Sequence, residues 1–210
     1  IAAGRPLPPL AAGQPWSHST IVLEPLSEAL EELQALMKVL GSKASGGREE
    51  ALIKEGQTVL SLRQALVKCS WHDASSWASL ADALDQIPPS LREIEDVSLA
   101  NQEFADARKK MEAAVQSELD TGKAVYMASV HAWSHEKIQV APLKSAREEL
   151  VAFPRISDAG VGLSTRAALA IRLREALLRA DFAVASSWRG LDEVLNSCPV
   201  GSEESLGVAG

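Results

Sequence analysis

The sequence predicts an all-α protein, an antiparallel helical bundle built from two internal repeats, about 16–88 and 133–199, joined by a long helix. Three observations lead there. Apolar residues recur at helical spacing, as in Leu26, Leu30, Leu33 and Met37. No segment sustains the period-two alternation of a half-buried strand. Two Trp-marked blocks each occur twice, which is the mark of a repeated structural unit. Trp16-Ser17-His18 returns as Trp133-Ser134-His135, and a shift of 117 aligns residues 16–36 with 133–153 without a gap, eleven positions being identical. A shift of 111 then aligns 62–88 with 173–199, pairing Leu62-Arg63 with Leu173-Arg174, Ala65-Leu66 with Ala176-Leu177, and Ala74-Ser75-Ser76-Trp77 with Ala185-Ser186-Ser187-Trp188. Trp71 falls on Phe182, so each of the five tryptophans faces an aromatic in the other copy. A large ring kept at one place in both copies suits a packing anchor.

Along the chain, residues 1–15 are rich in Pro, Gly and Ala and read as an extended arm. The first helix begins near Pro25 and carries Leu26, Ala29, Leu30, Leu33, Leu36, Met37 and Leu40 on one stripe, with Gly41 as its stop. A loop over Gly41–Gly47 precedes a second helix from about Glu49 to Cys69, locally weakened by Gly56. A third helix takes Ser75 or Ser76 as N-cap, turns Trp77, Leu80, Leu84 and Ile87 inward and ends at Pro88-Pro89. Ser90 caps a long fourth helix whose stripe is Ile94, Val97, Phe104, Ala107, Met111, Ala114, Val115 and Leu119, stopped by Thr121-Gly122. Residues 90–132 thus connect the copies, with a further helix expected over 123–137. The second copy repeats the set at about 142–153, 163–180 and 186–197, and 200–210 form a polar tail.

Composition narrows the function classes. The 210 residues are 46% hydrophobic and 23% charged with mixed signs, the profile of a folded, soluble chain. A net charge of −7 argues against nucleic acid as a partner, because phosphate contacts need clustered Lys and Arg. The one basic run, Arg108-Lys109-Lys110, lies within a helical pattern and reads as a solvated face. No apolar stretch approaches the length of a membrane span. A start at Ile1 suits a fragment or a chain that has lost a targeting segment.

Each candidate for chemistry has a structural reading beside it. His131 and His135 are four apart, a spacing that can serve a metal, but position 132 is Ala where a zinc-protease motif needs Glu. Cys69 and His72 have CxxH spacing without a second half-site. Cys69 and Cys198 read as small apolar residues near helix ends, and their pairing is left open. Ser17 and Ser134 each precede a His, yet neighbours on a helix do not face one another. Glu31-Glu32, Glu49-Glu50 and Glu148-Glu149 read as surface charge. No catalytic residue, metal ligand or cofactor is therefore expected.

Several segments resemble a known group. The arm Arg5-Pro6-Leu7-Pro8-Pro9-Leu10, the helix start Pro142-Leu143-Lys144-Ser145-Ala146-Arg147, and Trp77-x-x-Leu80-x-x-x-Leu84 followed by Leu91-Arg92 are similar to the Q-type extrinsic four-helix proteins of the oxygen-evolving photosystem and their algal relatives. That resemblance implies a processed, non-enzymatic subunit in the plastid lumen, peripheral to a photosynthetic membrane complex. No binding residue is carried over. Independently of it, the residues lead us to expect a scaffold or accessory subunit whose partners are other protein subunits. A small-molecule or pigment carrier using the aromatic helices is the alternative.

Overall fold

A computed structural model describes residues 21–40, 47–128, 138–181 and 183–197, with the side chains of residue 40 and of 122–128 left out. All regular structure among these residues is helical; one isolated bridge, Ser70 to Asp73, closes a turn. The helices are α1 Glu24–Leu40, α2 Arg48–Lys68, α3 Ala78–Asp85, α4 Glu95–Ala128, α5 Ala141–Ala152, α6 Asp158–Arg179 and α7 Arg189–Asn196. Short 3-10 turns, Ala74–Trp77 and Ala185–Trp188, lead into α3 and α7, and another at Pro89–Leu91 precedes α4. The chain divides into two compact units, Ile1–Ala107 and Arg108–Gly210. Helix α4 contributes residues to both.

In the first unit, α2 starts on Gly47, whose φ of 75° is a left-handed conformation that suits glycine. Leu62, Leu66, Trp77 and Leu80 form the deepest part of the core, joined by Val97, Ala100 and Phe104 of α4. Burying one such aliphatic side chain stabilises the fold by about 1.5–3 kcal/mol. The Trp77 ring sits edge-on to Trp71 at 5.2 Å and to Phe104 at 6.4 Å, the offset geometry aromatic quadrupoles favour. Gly56, expected only to weaken α2, lies against α1: a Cβ there would stand 2.6 Å from Leu30 Cδ2. The missing side chain is what lets the two helices approach.

In the second unit, Leu173, Ala176, Leu177 and Leu191 form a core against which Ile138, Trp188 and Val194 pack. Leu143 and Leu150 anchor α5 and are fully buried. Ser157 caps α6 by accepting from the Gly160 amide at 2.9 Å, and its own hydroxyl donates to Glu112 of α4 at 2.5 Å.

Several expected boundaries move. The cap before Trp77 is Asp73, whose carboxylate accepts from the Ser75 amide at 3.0 Å, rather than Ser75 or Ser76. The carboxylate immediately before the turn reaches that amide two residues on, and Ser76 binds backward to Ser70 and Asp73. Ser90 does not cap α4, because Pro88 and Pro89 start a separate 3-10 turn; its hydroxyl donates to Glu55 instead, at 2.9 Å. Thr121-Gly122 does not stop α4, which runs to Ala128 and takes in the start of the helix expected over 123–137. The Thr121 hydroxyl returns to the Ser117 carbonyl at 2.9 Å, and one interior glycine costs only about 1 kcal/mol. Helix α6 begins at Asp158, not 163, because the Ser157 cap precedes the apolar pattern. Leu36 and Ala114, placed on core stripes, are exposed.

Candidate functional site

The polar side chains that the fold gathers are two arginines and two turns. Arg63 lies on the buried face of α2, and its Nη2 and Nε donate to Asp96 Oδ2 at 2.7 and 2.8 Å. Both side chains are about 5% exposed (5% and 6%). Its Nη1 donates to the Val22 carbonyl at 3.2 Å. One guanidinium thus ties α2 to the entry of α1 and to the first turn of α4. Arg174, equally buried in α6, donates from Nη1 to the Gln139 carbonyl and from Nη2 to the Glu118 carbonyl, both at 2.9 Å. The planar, always-charged guanidinium presents five donors in a fixed fork, so it can reach acceptors on two segments at once.

The turns are equally well tied. Ser76 Oγ accepts from the Ser70 amide at 2.8 Å and donates to the Asp73 carbonyl at 2.6 Å. Trp77 Nε1 donates to the Ser70 carbonyl at 2.9 Å. In the second unit Ser187 Oγ accepts from the Asp181 amide at 2.8 Å and donates to the Val184 carbonyl at 2.7 Å. Trp188 Nε1 donates to the Asp181 carbonyl at 2.9 Å. The Ser-Ser-Trp segment is therefore a hydrogen-bonded corner that carries a ring into the helices.

The candidates named from sequence fall as follows. Cys69 is the C-cap of α2, and burial, with the nearby Glu103 carboxylate, pushes its thiol up to about 12. Such a thiol stays protonated at neutral pH and is a poor nucleophile and metal ligand. His72 is exposed, in the turn after it. Glu31, Glu32, Glu50 and Glu148 face outward, while Glu49 and Glu149 are half-buried. Of the basic run, Lys109 and Lys110 are exposed and Arg108 is half-buried. Trp77 is packed in the core and Trp71 and Trp188 are half-buried. Trp16, Ser17, His18, His131, Trp133, Ser134, His135, Phe182 and Cys198 lie outside the described residues. Among the described residues no three His, Cys, Asp or Glu side chains converge in a way that could hold a metal ion. Nor is any helix among them long and apolar enough to cross a membrane.

Sequence reasoning passed over the arginines. Leu62-Arg63 and Leu173-Arg174 were matched between the copies, and in each an arginine interrupts the buried face of a helix. A cation kept at a core position in both copies was the available signal. Glu103, 7% exposed on α4, left no such mark. Burial first, and then Asp106, raise its carboxyl above the ordinary range.

No family model, no curated protein and no solved structure matches this chain.

Proposed function

We propose that this chain is a non-catalytic helical scaffold or accessory subunit of a larger assembly, built from two copies of one antiparallel helical module and acting through protein–protein contacts. One observation supports the reading: several polar groups repeated in the sequence reach corresponding backbone carbonyls in both copies. Arg63 Nη1 reaches Val22 and Arg174 Nη1 reaches Gln139. The arginines are related by the shift of 111 and the carbonyls by the shift of 117, so the contact bridges both aligned blocks. Trp77 and Trp188 bind the carbonyl seven residues before each at the same 2.9 Å. Antiparallel pairing is supported by contacts that run in opposite directions along partner helices. Arg63 meets Val22 while Gly56 meets Leu30; Arg174 meets Gln139 while Arg147 Nε meets the Ser164 carbonyl at 3.0 Å.

Among the described residues, the non-catalytic part of the reading is supported by how several polar groups are engaged. The Ser76 and Ser187 hydroxyls and both indole N–H groups serve backbone atoms, and the Cys69 thiol is held protonated. A hydroxyl whose proton is given to a backbone carbonyl, and a thiol held protonated, are not activated as nucleophiles. The lumenal photosystem subunit of the resemblance would be one special case of such a scaffold. Isolation of the protein from its native source under non-denaturing conditions, with cross-linking, tests the proposal. It expects a defined complex with other protein subunits; recovery only as a lone monomer with no cross-linked partner would overturn it.

A further inference from the structure

We draw no further inference here: the strongest candidate, the outward face of α1 where Glu24, Glu28, Glu31 and Glu32 lead into exposed Leu36 and Val39, carries nothing because nothing in the structure shows what covers it.

Discussion

Asp96→Ala is the sharpest perturbation of the first unit. It removes the carboxylate that receives two bonds from Arg63, at 2.7 and 2.8 Å, and takes that counter-charge away from a buried guanidinium. Breaking a buried pair from one side costs about 3–5 kcal/mol, because desolvation of the remaining ion is no longer offset. A unit of this size loses roughly 4 °C of melting temperature per kcal/mol, so the transition should fall by roughly 12–20 °C. Urea unfolding followed by circular dichroism measures the free energy directly. Replacing both partners together, Arg63→Met with Asp96→Leu, leaves no orphaned charge and should cost less than the two single changes summed, with a coupling of about 2–3 kcal/mol. A loss below about 1 kcal/mol for Asp96→Ala, or strict additivity in the cycle, would show that the pair is solvated and does not pin α4 to α2.

Other expectations follow from single contacts. Gly56→Ala alone should not yield the usual gain of about 1 kcal/mol, because its Cβ meets Leu30; combined with Leu30→Ala, adding that methyl should stabilise relative to Leu30→Ala alone, as thermal melts can read. Trp77→Phe should cost about 1–3 kcal/mol and Trp188→Phe less than about 1 kcal/mol in denaturant titrations, since Trp77 is a buried ring with a part-buried indole bond and the Trp188 bond is exposed. In a Cys198→Ser background, iodoacetamide should fail to label Cys69 at pH 8 until denaturant is added; fast native labelling would contradict its burial. For Glu103 the folded state favours the protonated carboxyl, so its contribution to stability is fully present at low pH and is lost as pH rises from the ordinary value of 4.5 through the raised folded value. Glu103→Gln should then be more stable than the parent at pH 7, with the difference fading as pH falls toward 4.5; a pH-independent difference would contradict the burial argument.

What the sequence made legible was the set of helices, because the apolar period is a property of each segment. Leu26 and Leu30 of α1, and Val97, Phe104, Met111 and Val115 of α4, are buried as their spacing requires. The ends were less legible, because they depend on side chains just outside the pattern. Asp73 and Ser157 cap their helices from positions that carry no apolar signal. Thr121-Gly122 has the composition of a stop, yet a side-chain bond to Ser117 and the continuing helix override it. Leu36 fits the stripe of α1 but is 56% exposed, because periodicity says which face a residue shares and not how far the neighbouring helix covers it. The polar ties were hidden for a different reason. Arg63 and Asp96 are 33 residues apart, and no local pattern couples them.

The central claim is that the two Trp-marked blocks fold as equivalent modules. An experimental high-resolution structure tests it most directly through two pairs of distances. The account predicts Arg63 Nη1 on the Val22 carbonyl with Arg174 Nη1 on the Gln139 carbonyl, and Trp77 Nε1 on the Ser70 carbonyl with Trp188 Nε1 on the Asp181 carbonyl, each within hydrogen-bond distance. Finding either arginine or either indole pointed at solvent, or at a different element from its counterpart, would contradict it.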